Sequence, residues 1–151
     1  MEALCFRAYP EGTLINHADG REYSYLFWRG YTQHRWDLSE GFVVRGEDTV
    51  AFLQEMLAGM GLIPREYNEF IVYWVPQMQD NRYNIITFST LEEYERVAGL
   101  VVSPRPDSIL RIHMAWQRMS EPVDIPPQQF APFERRGFTV VEWGGTEVLA
   151  N

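Results

Sequence analysis

The sequence predicts an α+β domain built on a mostly antiparallel β-sheet with two or three short helices. Three observations carry that prediction. Short alternating runs bounded by Gly, Pro, Asn and Asp recur along the chain. Only two or three windows show apolar residues at helical spacing. Phe, Tyr and Trp make up 15% of the residues, a share that favours strands. Strands joined by hairpins, with helices few and local, define the class.

Taken in order, residues 3–8 alternate as a strand, and Pro10 and Gly12 then mark a turn. Residues 13–16 (TLIN) form a second short strand. Asp19-Gly20 is a hairpin signal, because both residues tolerate the positive φ that a tight turn needs. Residues 22–30 (EYSYLFWRG) read as the return strand, with Tyr23, Tyr25 and Phe27 on one face and Leu26 and Trp28 on the other. Both faces are expected to be covered. Residues 31–40 are polar and irregular, and read as a loop, and residues 41–46 are a short strand.

A helix is predicted over 47–60, with Val50, Leu53, Leu57 and Met60 at helical spacing. Glu47 and Asp48 stand in its first turn, where the helix dipole favours acids, and Gly59 and Gly61 end it. Pro64 suits the first turn of a second helix, which would be short (64–69). Residues 70–75 (FIVYWV) are then expected as a strand covered on both faces, since the run is short, partly β-branched and closed by Pro76. The rival is a helix continued through residue 78, because Phe70, Tyr73 and Trp74 also fit one helical face.

A turn at 80–84 leads to a strand at 83–88. Residues 89–99 read as a helix with Ser89 and Glu92 at capping-box spacing and Gly99 as its stop. Residues 103–107 are a stiff loop. The clearest strand is 108–119: Leu110, Ile112, Met114 and Trp116 face the core, and Arg111, His113, Ala115 and Gln117 face a side expected to be mostly wet. Residues 121–133 are proline-rich and extended, and 136–145 form the last strand. With no internal repeat and no low-complexity linker, all 151 residues read as one globular domain.

Composition excludes several functions. The net charge is −8, which repels phosphate backbones and argues against nucleic acid as a partner. All thirteen basic residues are Arg. Without Lys there is no Schiff base and no P-loop lysine. The single Cys5 makes no internal disulfide, and its place in a strand reads as a small buried thiol. No run approaches the ~20 apolar residues of a transmembrane segment, and the N-terminus lacks the pattern of a signal peptide.

HExxH, GxSxG, GxGxxG, CxxC and the Walker loop are all absent, and one Cys with three scattered His makes no recognised zinc spacing. Neither a metal nor a cofactor is expected. His17 and Asp19 read as turn chemistry. The candidate ligand-binding residues are His34, Trp36 and Asp37 in the 31–40 loop, with Arg111 and His113 on the sheet face. Loops carry function more often than cores do, and His, Trp, Asp and Arg together can hold a polar ligand. Glu66 and Glu69 are the alternative, a carboxylate pair for acid/base hydrolysis with His34. Most of the five tryptophans fall at core-like parity in predicted strands, and Trp36 alone is loop-borne.

The blocks YLFW (25–28), NEFIVYW (68–74) and VVEWGG (140–145) resemble an uncharacterised bacterial domain that recurs at the C-terminal end of larger, often exported proteins. The resemblance spans nearly the whole chain. It implies one conserved-length domain and a cell-envelope or extracellular setting, and it carries no activity and no site residues. A complete chain of this sequence would instead read as cytoplasmic. The functional expectation is a non-catalytic binding or interaction module, with protein or cell-wall saccharide as partner. The alternatives are a hydrolase without a recognised motif and a structural docking domain of a larger protein.

Overall fold

A computed structural model describes residues 4–150. Among these residues the fold is mixed α+β, with three α-helices and two sheets. The chain gathers into two compact units, one up to Gln33 and one from His34 onward.

The first unit is an antiparallel meander of β1 (Phe6–Ala8), β2 (Leu14–Asn16) and β3 (Glu22–Tyr23). The predicted turn is present. Asp19 accepts the Arg21 N–H at 3.0 Å, and Tyr23 Oη donates to its other carboxylate oxygen at 3.0 Å. Those bonds hold the Asp19 carboxyl below its usual range, with the Arg21 amide the largest cause. The return strand is much shorter than expected, because it stops at Tyr23. Residues 24–33 carry no helix or strand, and their rings are exposed rather than covered. Cys5 is likewise exposed, not buried. No described residue of this unit is buried, so it holds no core of its own.

The second unit is a four-stranded sheet of β4 (Phe42–Arg45), β5 (Tyr83–Phe88), β6 (Ser108–Met119) and β7 (Thr139–Glu147), in that order. β4, β5 and β6 pair antiparallel, and β7 runs parallel to β6. Helix α1 (Thr49–Met60) follows a short 3₁₀ turn, and α3 (Leu91–Val97) lies between β5 and β6. Gly61 ends α1 in the left-handed conformation at φ 111°, which an L side chain rarely adopts.

Residues 70–75 are not a strand. They belong to α2 (Pro64–Met78), the rival reading. The helical wind sorts the run cleanly. Phe70, Trp74, Val75 and Met78 are buried, while Val72, Tyr73 and Pro76 face out. Pro76 is tolerated because it sits in the last turn on that outward side. Its missing N–H deprives only the Val72 carbonyl, on the exposed face, of a partner. The predicted strand had counted this proline as a terminator.

Leu53, Leu57, Leu62, Phe70, Met78, Ile86, Phe88, Ile112, Met114 and Trp116 form the core. Val50, expected among the buried residues of α1, is exposed; Met60 packs against the core as expected, and Phe52 and Met56 join it there. The α3 cap moves by one residue from the expectation. Thr90 Oγ1 accepts the Glu93 N–H at 3.1 Å, which frees Ser89 for another partner.

Candidate functional site

Of the five candidate ligand residues, the second unit gathers four. On β6, Arg111 and His113 share a face, as strand alternation requires. That face is not wet. Both residues are buried, because α3 and the loop bearing Trp36 cover them. Alternation places a polar residue on the side opposite the core, but it does not say what lies over that side.

The His113 ring is held between two others. Trp36 stacks on one side at 4.1 Å between centroids, and Tyr94 of α3 stacks on the other at 4.8 Å. His34 meets Trp36 edge-on at 4.5 Å, and its Nε2 bonds Glu93 Oε1 at 2.8 Å. The Arg111 guanidinium lies over the far side of the group, 4.6 Å from the Tyr94 centroid. The order His34, Trp36, His113, Tyr94, Arg111 is one continuous stack.

Polar partners close the cluster. Ser89 Oγ meets His113 Nδ1 at 2.8 Å, and Thr146 Oγ1 meets Nε2 at 3.0 Å. Arg111 donates through Nε to Glu142 of β7 and through Nη2 to the Ala98 carbonyl at 2.6 Å. Among the described residues its Nη1 finds no hydrogen-bond partner, with Glu95 Oε1 4.0 Å away. Burial lowers His113 to about 4, with the nearby His34 adding to the effect. Burial, assisted by the Glu142 charge, raises Tyr94 to about 12. Both groups are neutral at pH 7.

Asp37 is not part of this group. It accepts the Ser39 N–H at 2.9 Å in a local turn, and bonds from Ser39 hold its carboxyl below the usual range. Glu66 is also engaged elsewhere. It accepts the Ile63 N–H at 3.0 Å at the start of α2, and both its oxygens take bonds from Arg135. Glu69 is half-buried one turn further along the same helix. The carboxylate pair is thus split by a capping and clamping role.

Ser89 with His113 has the outline of a nucleophile and its base. The surroundings differ from that template. The second imidazole nitrogen meets a hydroxyl rather than a carboxylate, and Glu142 is bound to Arg111. Both faces of the imidazole are occupied by rings, so His113 is held in place as part of a packed cluster. The cluster clasps the 34–40 loop to the sheet. Sequence reasoning missed Ser89, Tyr94, Glu142 and Thr146, whose roles arise only when three elements meet.

Two other features remain. An open groove of about 580 Å³ lies beside β4, lined by Val43, Val44, Ala51 and Phe52 together with Arg45, Asp48 and Glu55. In the first unit, the run Tyr25–Trp28 and Tyr31 is exposed. Gly30, without a side chain, leaves room for the Trp28 ring, which would lie 3.0 Å from a Cβ there. The run was expected as a covered strand. Its clue was four apolar residues in succession, which suit a strand covered on both faces or a surface awaiting cover.

Among the described residues, no group of three or more His, Cys, Asp or Glu is placed to hold a metal. No helix among them is long and apolar enough to cross a membrane. Comparison with known proteins finds no matching family model, no matching curated protein and no matching solved structure.

Proposed function

We propose that this chain is a non-catalytic interaction module whose contact surface is the run Tyr25–Trp28 with Tyr31, and that its partner is a protein. The observation that carries this reading is exposure. Tyr25 is 61% exposed, Phe27 67% and Tyr31 98%. Scattered apolar residues at a surface are ordinary, but contiguous ones mark contact sites. The polar cluster on β6, by contrast, is filled by its own side chains.

A protein partner is favoured over a saccharide by the arrangement. Stacking on a sugar needs rings on one flat face. Successive side chains diverge around the backbone outside a helix, so four in a row present more than one face. A groove that grips from several sides suits them better. The cell-envelope setting rests on the bacterial resemblance and belongs to the same proposal.

Selection from a displayed peptide library against the full chain tests this, followed by calorimetry with wild type and with Phe27→Ala and Trp28→Ala. Selected peptides should lose at least tenfold in affinity with either variant, at unchanged melting temperature. Peptides that bind both variants as tightly as wild type would move the site elsewhere. Saccharides bound through these rings, with no peptide ligand, would replace the partner class.

A further inference from the structure

The two edges of the four-stranded sheet are finished differently. β4 is four residues long. The proline-rich segment passes beside it: Gly41 N donates to Pro126 O at 2.9 Å, and Pro122 and Val123 line the groove along Val43 and Val44. Prolines lack an N–H, so such a strap guards an edge without extending the sheet. β7, at the other edge, is nine residues long.

The backbone phase of β7 follows from one bond. Val148 N donates to Trp116 O at 2.7 Å, in step with the parallel register Trp116↔Glu147. Even-numbered residues therefore turn their backbone groups toward β6, and Val141, Trp143, Gly145 and Glu147 turn theirs outward. Among the described residues, these outward N–H and C=O groups take no hydrogen bond. The usual guards of a long edge are also missing. β7 holds no Pro, the chain holds no Lys, and the two carboxylates of β7 are tied to Arg111 and Arg118.

We propose that β7 is a homodimerisation edge, to which β7 of a second copy adds antiparallel across a two-fold axis at Gly144. Two four-stranded sheets would then join into one of eight. A row of outward backbone groups calls for a polypeptide strand, and β7 itself is complementary to β7. In this register outward-facing residues meet outward-facing residues, as an antiparallel ladder needs. Trp143 lies opposite Gly145 of the second copy, so the bulkiest residue meets the absent side chain, beside the Trp74 ring that already lies over that glycine. Glu142 lies opposite Thr146 and Val141 opposite Glu147, so no carboxylate faces another. The proposal is independent of the aromatic run in the first unit.

Sedimentation of the full chain from low micromolar to submillimolar concentration tests it, together with amide hydrogen exchange over the same range. The mass should double as concentration rises. Protection should grow at Val141, Trp143, Gly145 and Glu147, while the even-numbered amides stay protected throughout. Val141→Pro removes an outward N–H and no bond to β6, and should remain monomeric. A wild type that stays monomeric overturns the proposal, including one whose outward amides are already protected by another segment. A dimer whose outward amides exchange freely, or a folded Val141→Pro that still dimerises, overturns it too. Should that variant fail to fold, the exchange pattern of the wild type decides alone.

Discussion

Two aromatic groups lie within about a dozen residues of each other and have opposite fates. Trp36 and His34 lock onto the sheet through His113, Tyr94 and Arg111, while Tyr25, Phe27 and Tyr31 stay at the surface. Residue type does not separate the two groups. What separates them is whether another element brings a matching surface. Strand β6 offers the His113 ring to Trp36 and helix α3 offers Glu93 to His34, so the rings of the loop become part of the fold. The first unit has no core to offer, so its rings remain available for contact.

The largest effect should come from opening the buried end of the stack. Arg111→Ala leaves Glu142 charged and nearly enclosed, and should cost about 3–5 kcal/mol in urea unfolding. Replacing both, as Arg111→Met with Glu142→Leu, should recover most of that loss, because no charge is then stranded. If the single variant melts like wild type, the ion pair is not what holds the stack.

Acid should attack the same region. His113 is lowered to about 4 from an ordinary value of 6.5, so the unfolded chain takes up the proton first as pH falls. The stability tied to the neutral ring is intact above about pH 6.5 and is lost progressively down to about pH 4. The loss totals roughly 3 kcal/mol. His113→Gln should flatten this part of the stability–pH curve, and equal slopes for variant and wild type would contradict it.

Trp36→Ala, which uncovers one face of His113, should cost about 2 kcal/mol, less than a fully buried tryptophan because Trp36 is half-buried. Phe27→Ala should change stability by no more than ~0.5 kcal/mol while weakening partner binding. A loss at Phe27 as large as that at Trp36 would erase the contrast between the two groups. A gain rather than a loss is expected in α2. Pro76→Ala restores a donor to the Val72 carbonyl in the last turn, and should stabilise by about 1 kcal/mol.

Much of the fold was legible in the chain. Strands 83–88 and 108–119 stand where alternation and turn residues place them, and α1 lies within the run of apolar residues at helical spacing. Local rules suffice there, since period and flanking breakers point to one answer. The class, α+β, follows from the same signals. The parallel placement of β7 beside β6 was not legible, because hairpin signals describe neighbours in sequence and this pair is joined across a long proline-rich segment.

The sequence by itself determined which residues alternate in 83–88 and 108–119, that α1 winds, and that Arg111 and His113 share one side of β6. Only the tertiary structure decided what covers each side. It buried that polar pair under α3 and Trp36, left Tyr25 and Phe27 at the surface, and wound Phe70–Val75 into a helix. The physical reason is that burial belongs to pairs of surfaces. A strand or a short apolar run carries its own periodicity, but the free energy of hiding it depends on a partner that arrives from elsewhere in the chain.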